Sequence, residues 1–185
     1  VREARAEFSD EDRHWWAFEP VHEIVAPKIE GDQWSTNEVD QFVLHRINAK
    51  QLTPAPKASP QTLVRRLYFD LIGLPPSAQD VMSFDDATAA NGFDDAWTDL
   101  VERLLADQRS GENWARFWLD VVRYAESDGW NKDAYRPHIW RYRDYVIDAF
   151  NSDKPYPDFV REQLAGDEIR EDNPEHLAAV GFLRL

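Results

Sequence analysis

One stretch of the sequence concentrates acids, bases and aromatic rings: residues 126–150, which read ESDGWNKDAYRPHIWRYRDYVIDAF. Asp128, Asn131 and Asp133 supply side-chain oxygens around Gly129, and oxygen atoms are the ligands that Ca²⁺ prefers. A calcium-binding EF-hand loop requires acids at alternating positions, a glycine at the sixth position and a glutamate at the twelfth, and this segment lacks that pattern. An Asx-rich turn is therefore the favoured interpretation, and a calcium site at these three residues is the alternative.

Carboxylates are the second group that could do chemistry. Glycoside hydrolysis uses two of them at a fixed separation, one often with a raised pKa. Asp120, Asp128 and Asp144 are the catalytic candidates, but a chain with 35 acidic residues offers many such pairs. The sequence contains no H-E-x-x-H spacing, no G-x-S-x-G motif and no glycine-rich phosphate-binding loop. Because these familiar enzyme motifs are absent, the sequence leaves open whether the protein is an enzyme.

Arg116, Asp120 and Arg123 follow one another at helical spacing within a helix predicted over residues 113–125. If this face is exposed, each ion pair contributes only about 0–1 kcal/mol and implies no function. If it is buried, Asp120 can pair with Arg123, Arg141 or Arg143, or present its carboxylate to a ligand. We favour structural pairing over catalysis, because structural ion-pair networks also perturb pKa values.

Aromatic residues flank the same polar loop, namely Trp130, Tyr135, Trp140, Tyr142 and Tyr145. Together with the neighbouring aspartates and arginines, they resemble the mixture of rings and polar groups that holds sugars. The same mixture is equally typical of tyrosine and tryptophan rings packed at a helix junction with their polar ends hydrogen-bonded. Both interpretations stay open at the level of sequence.

Composition excludes several classes of protein. The formal net charge of −14 disfavours nucleic-acid binding, which needs a basic surface to neutralise phosphates. No apolar run approaches the roughly 20 residues that span a bilayer. The chain has no cysteine, which excludes disulfides, thiolate catalysis and covalent haem c attachment within it.

Helical patterns dominate the elements that must position these groups. Ser35 and Glu38 have the spacing of a capping box and predict the start of one helix. Ser59 followed by Pro60 predicts the start of the next. Further apolar stripes lie within residues 63–71, 93–104, 114–125, 139–150 and 159–164. The predicted fold is all-α, an irregular bundle of about six to eight helices over residues 35–185. Residues 1–34 are predicted to be an extended N-terminal arm and linker from a preceding domain.

Six segments stand in the order of one known family: HWWAFEPV, VDQFVLHRINAKQLTPAP, TLVRRLYFDLIGLPPS, ERLLADQRSGENWARFWLDVVRYAESDGW, WRYRDYVIDAFNSDKPYPDFVREQLAGD and AAVGFLRL. From about Trp15 to Leu185, the chain resembles the domain of unknown function of planctomycete and verrucomicrobial cytochrome c-like proteins. The resemblance implies a secreted or periplasmic parent protein, with haem c in a neighbouring domain and no cofactor in this one. It also implies a following domain of unknown function and a setting among polysaccharide-degrading enzymes.

The family's polar motif corresponds here to Asp120, Arg123, Tyr124, Asp128, Arg141, Tyr142, Arg143, Asp144, Tyr145, Asn151, Lys154, Gln163 and Asp167. Position 126 more often carries aspartate in the family, so Glu126 places its carboxylate on a longer arm.

This resemblance supports two hypotheses about function. In the first, the module binds or processes a poly- or oligosaccharide: Trp130, Tyr135 and Trp140 stack on sugar rings, and Arg141 and Arg143 pair with sulfate or carboxylate substituents. The remaining ligand-binding candidates are Arg123, Tyr124, Lys154 and Asp167, while Asp120, Asp128 and Asp144 bind hydroxyls or a cation or act as acid and base. In the alternative, the module has no ligand site and docks a haem domain to the following domain. The first hypothesis predicts an open cleft lined by these groups, and the second predicts that the same charges are buried in closed pairs.

Overall fold

A computed structural model of the chain describes residues 9–129 and 133–185, and over these residues it confirms the all-α prediction. The helices are α1 (Asp10–Arg13), α2 (Glu38–Ala49), α3 (Pro60–Leu71), α4 (Ala78–Asn91), α5 (Phe93–Leu105), α6 (Gln108–Val121), α7 (Trp140–Asn151), α8 (Tyr156–Ile169) and α9 (Pro174–Ala179), followed by a 3₁₀ helix, Val180–Arg184. Within the described residues, extended pairing is limited to one isolated bridge, between Ser127 and Tyr135. None of the helices described there is both long enough and apolar enough to cross a membrane.

The chain divides into two compact units, Val1–Lys57 and Ala58–Leu185. The first unit contains α1 and α2, and the second contains the remaining helices. This division falls later than the boundary after residue 34 that the sequence suggested, which stays a prediction.

In the first unit, α2 begins at a different cap from the predicted one. The amide oxygen of Asn37 accepts a hydrogen bond from the Asp40 backbone N–H at 2.9 Å. The Asp40 carboxylate in turn accepts from the backbone N–H and hydroxyl of Thr36. The predicted capping box of Ser35 and Glu38 is therefore wrong. Asparagine is as good an N-cap residue as serine, so Asn37 takes this position, and Asp40 instead of Glu38 supplies the reciprocal carboxylate.

In the first half of the second unit, α3, α4 and α5 surround a shared cluster of buried residues that includes Val64, Tyr68 and Leu104. Ser59 caps α3 by accepting from the backbone N–H of Thr62, as the Ser–Pro pair predicted. The chain leaves α3 through Gly73, whose positive φ of 75° favours glycine.

The second half of this unit is built on close packing between α6 and α7. Its buried cluster includes Ala115, Tyr142, Val146 and Phe159. Gly111 lies against the end of α7, where a Cβ atom would come within 2.4 Å of the Asn151 amide group. Small residues on α6 therefore allow the two helix backbones to approach each other closely.

The bounds of α6 and the side chains that it exposes differ from those predicted from the sequence. The helix spans Gln108–Val121 and not residues 113–125, and it buries Ser110, Gly111, Asn113 and Ala115. In the predicted apolar stripe, Trp118 and Val122 pack against the buried cluster, whereas Trp114, Phe117 and Val121 are 45%, 51% and 75% exposed. Close packing on α7 requires the small residues to face inward, so the large rings on the other side of the helix are left outside.

Candidate functional site

The polar loop between α6 and α7 is held by its own hydrogen bonds. The Arg136 N–H donates to the Glu126 carbonyl at 2.8 Å, and the Asp128 N–H donates to the Ala134 carbonyl at 2.9 Å. Gly129 has a positive φ of 69°, and its N–H donates to the Asp133 carboxylate at 3.0 Å. Two of these contacts join backbone groups across the loop and the third uses an aspartate side chain, so the Asx-rich turn stays a prediction.

The candidate metal ligands do not assemble into a site in the part of the loop that the structure describes. Asn131 lies outside the described residues, as does the aromatic candidate Trp130. The Asp128 carboxylate forms an ion pair with Arg136, with 2.6 Å between Oδ1 and the guanidinium Nε. The hydrogen bond from Arg136 keeps the pKa of Asp128 below its usual value. Over residues 9–129 and 133–185, no group of three or more acidic, histidine or cysteine side chains could hold a metal ion. A calcium site in this loop stays a prediction.

Arg143 is the centre of a half-buried cluster at the start of α7. Its guanidinium donates to Glu126 at 3.1 Å, and through two nitrogens to one oxygen of Asp144 at 2.9 and 3.0 Å. The Tyr124 hydroxyl also donates to Glu126, at 3.2 Å. Burial, followed by this carboxylate, raises the pKa of Tyr124 to about 12. The cluster joins the loop to α7, and the catalytic candidate Asp144 is occupied by its ion pair with Arg143.

Beneath this surface lies a buried hydrogen-bond network that joins three helices. The Tyr142 hydroxyl of α7 donates to the Gln163 side-chain oxygen of α8 at 2.6 Å. The Trp118 indole of α6 donates to the Tyr142 hydroxyl at 2.9 Å. Gln163 completes the network by donating to the Phe159 carbonyl at 3.0 Å. Burial raises the pKa of Tyr142 to about 12, although the Trp118 hydrogen bond acts in the opposite direction.

A second buried cluster surrounds Glu162 on α8. Its carboxylate accepts from the Lys154 ammonium at 2.5 Å and from the Tyr145 hydroxyl at 2.9 Å, and it lies 3.5 Å from the His176 ring. Only 20% of the Lys154 side chain and 13% of the Glu162 side chain are exposed.

The two strongest pKa shifts in this cluster have opposite directions. Burial and the neighbouring carboxylate raise the pKa of Tyr145. Burial alone would raise the pKa of Glu162, but the hydrogen bonds from Lys154 and Tyr145 outweigh it and the net direction is down.

Glu162 and His176 were not among the site residues predicted from the sequence. One signal could have identified Glu162: with Phe159, Gln163 and Gly166 it occupies the helical i, i+3, i+4 and i+7 positions that normally form a buried stripe. The structure shows that Phe159, Gln163 and Gly166 are buried. A charged residue at such a position requires a partner, and Lys154 supplies it.

The other predicted site residues lie on the surface and do not converge. Asp120 on α6 is exposed, and in the described part of the chain its carboxylate has no ion pair. The buried face that a pairing of Asp120 with Arg123, Arg141 or Arg143 required is therefore not formed, because the face of α6 that packs on α7 is the small-residue face. Arg123 ends α6 with a positive φ of 57° and is exposed. Tyr135 and Asp167 are exposed as well.

Trp140 and Arg141 lie together on the first turn of α7. The Arg141 guanidinium carbon is 5.5 Å from the centre of the Trp140 ring, and both side chains are exposed. Arg141 also lines an open cavity of about 550 Å³ between the start of α7 and the C-terminal helices. The walls of this cavity are mostly apolar, with His138 and Arg141 as its basic residues and Leu177 and Ala178 on the opposite side.

Taken together, the motif forms closed pairs at Asp128, Arg143, Asp144 and Lys154, and leaves Arg141 beside an open cavity.

No curated protein and no solved structure matches the chain. A family model matches residues 38–185, from the first residue of α2 to the end of the chain. The chain belongs to the PSCyt2 family, which is described as a protein of unknown function (DUF1549).

Proposed function

We propose that this chain is a structural and interaction module that contacts a neighbouring domain of its parent polypeptide. The observation that carries the proposal is the pairing of the family's polar motif: Arg143 binds Glu126 and Asp144, Arg136 binds Asp128, and Lys154 binds Glu162. The Lys154–Glu162 pair is largely buried and joins the α7–α8 turn to α8, and the partly exposed charges of Arg136 and Arg143 are already paired and have little capacity left for a ligand.

The exposed face of α6 supplies the contact surface. Trp114, Phe117 and Val121 lie on one side of the helix, and the Arg116 guanidinium carbon is 4.8 Å from the centre of the Phe117 ring. Exposed apolar patches with a polar rim mark interaction sites, and tryptophan and arginine are enriched among the residues that dominate binding energy. We define these four residues as the α6 face.

The occupant that we propose for the α6 face is an adjacent domain of the same polypeptide. The family resemblance supports this choice, since such modules stand between a haem-binding segment and a second domain of unknown function in secreted or periplasmic proteins. A contact with a tethered domain can be small, because the linker supplies a high effective concentration.

Calorimetric titration of the module with its adjacent domain, produced as a separate protein, tests this proposal. We expect the Trp114→Ser/Phe117→Ser double variant to bind at least about tenfold more weakly than the unchanged module, since each residue is a typical anchor. Met82→Ser on α4, where the side chain is 52% exposed, is the matched control and should bind normally. Equal binding by the double variant, with its circular dichroism unchanged, would refute the α6 face.

A second candidate function is the binding of an anionic saccharide at the cavity beside Arg141. The specific observation is that Arg141, which lines the cavity and contacts the exposed Trp140 ring, has no ion pair in the described residues. An arginine fork suits sulfate and carboxylate groups, and the exposed ring offers a surface for a sugar.

A thermal-shift titration with a sulfated oligosaccharide tests this second function, since a ligand that binds only the folded state raises the melting temperature. We expect a dose-dependent rise that Arg141→Ala abolishes. Arg161→Ala, which removes an exposed arginine on α8, is the control and should leave the rise intact. An equal rise in both variants would indicate nonspecific charge binding and exclude the cavity.

A further inference from the structure

A second, smaller cavity lies at the turn between α7 and α8, away from the polar loop. It has a volume of about 190 Å³. Four aromatic rings line it, from Trp118 on α6, Phe150 on α7 and Tyr156 and Phe159 on α8, together with the side chains of Asp153 and Lys154. Ligand pockets usually measure about 300–1,000 Å³, so this cavity is sized for a single chemical group.

Three of these rings, those of Trp118, Phe150 and Phe159, are inclined to one another and do not form one flat platform. The planes of Trp118 and Phe159 meet at 67° with their centres 4.9 Å apart, and those of Phe150 and Phe159 meet at 59°. The Trp118 ring is held in place because its indole N–H donates to the buried Tyr142 hydroxyl. A sugar needs a flat ring face to stack on, whereas steeply inclined rings surround a compact group on several sides.

The charges around the cavity favour a cation. Lys154 is neutralised by Glu162, and its ammonium lies 4.9 Å from the centre of the Tyr145 ring, which is not among the lining residues. Asp153 is exposed, and its carboxylate has no hydrogen bond or ion pair within residues 9–129 and 133–185. The side chains of Lys154, Glu162 and Asp153 together therefore carry a local net charge of −1, which Asp153 supplies.

We propose that this cavity binds a quaternary ammonium group, with the four rings as its cage and Asp153 as its counter-charge. Aromatic rings attract such cations through their negative faces, and the attraction grows when the cation loses its water. A primary ammonium is a poorer fit, because its three N–H donors need acceptors and Asp153 is the single unpaired carboxylate among the lining residues. The proposed site is separate from the α6 face and does not depend on either function proposed above.

Choline titration tests this proposal, with 3,3-dimethylbutan-1-ol as a neutral probe of the same shape. Binding is followed by calorimetry and by the NMR signal of the assigned Trp118 indole N–H. We expect choline to give a saturable shift and to bind roughly tenfold more tightly than the neutral alcohol, since the charge is the recognised feature.

Two variants and one control locate the binding. Tyr156→Ala removes an exposed ring that has no hydrogen bond in the described residues, and Asp153→Asn keeps a residue type that tolerates the positive φ of 49°. Both should weaken choline binding several-fold, whereas Tyr135→Ala, which removes an equally exposed ring from the polar loop, should leave it unchanged. Equal affinity for the neutral alcohol, no saturable shift, or full choline binding by Tyr156→Ala would each overturn the proposal.

Discussion

Tyr142 should make the stability of the protein fall steeply in alkaline solution. Its side chain is 1% exposed, and burial raises its pKa from 10.0 to about 12. Because the folded pKa lies above the unfolded one, the contribution of Tyr142 to stability is complete below pH 10 and is lost as the pH rises towards 12. In this range the unfolded chain ionises the phenol while the folded protein keeps it neutral.

The size of this effect follows from the shift. A difference of about two pKa units corresponds to roughly 2.7 kcal/mol when the loss is complete, and to about 1.4 kcal/mol at pH 11. At neutral pH, Tyr142→Phe should cost about 1–2 kcal/mol, because it removes the hydroxyl that bridges Trp118 and Gln163. The wild type thus loses about as much stability between neutral pH and pH 11 as Tyr142→Phe loses through the missing hydroxyl. The two proteins should therefore reach similar stabilities near pH 11.

Urea unfolding of both proteins, measured in steps from neutral pH to about pH 11, tests this reasoning. Other titrating groups are common to the two proteins, so the difference between their unfolding free energies isolates Tyr142. A difference that stays constant over the whole range would refute the assignment of Tyr142 as a buried phenol with a raised pKa.

Three further substitutions have definite expected outcomes. Gly111→Ala should lower the unfolding free energy by about 1–3 kcal/mol, because the new Cβ would lie 2.4 Å from the Asn151 amide. Urea unfolding measures this loss, and an unchanged midpoint would contradict it. Gly166→Ala should cost more than Gly111→Ala in the same assay, because its Cβ would meet a backbone carbonyl of α9, which cannot rotate away. Glu126→Gln should lower the pKa of Tyr124 from about 12, because it removes the neighbouring negative charge. Tyrosinate absorbance follows this titration. An unchanged pKa would argue against the contact between Tyr124 and Glu126.

Features that depend on neighbouring residues in the sequence were predictable. Ser59 and Pro60 start α3 as expected, because both residues act on backbone groups within a few positions. The all-α fold followed from the same local signals and from the apolar stripes.

Features that depend on packing between helices were not predictable in the same way. The sequence shows large rings on one side of α6 and small residues on another, and ordinary burial rules assign the rings to the core. The structure follows this rule for Trp118 but leaves Trp114 and Phe117 exposed, because the Gly111 and Ala115 side packs closely on α7. The pairing of Lys154 with Glu162 was missed for a related reason: the turn between α7 and α8 sets it, and no helical spacing indicates it.

The pairing of Lys154 with Glu162 gives the most direct test that the charged pairs of this chain are structural. Urea unfolding of Lys154→Met, Glu162→Gln and the double variant forms a thermodynamic cycle. Each single change removes the main counter-charge of a largely buried group, so each should cost up to about 3–5 kcal/mol, and the double variant should cost clearly less than their sum. A coupling of at least about 1 kcal/mol would support the structural account. Additive single effects, or stabilities equal to wild type, would contradict it.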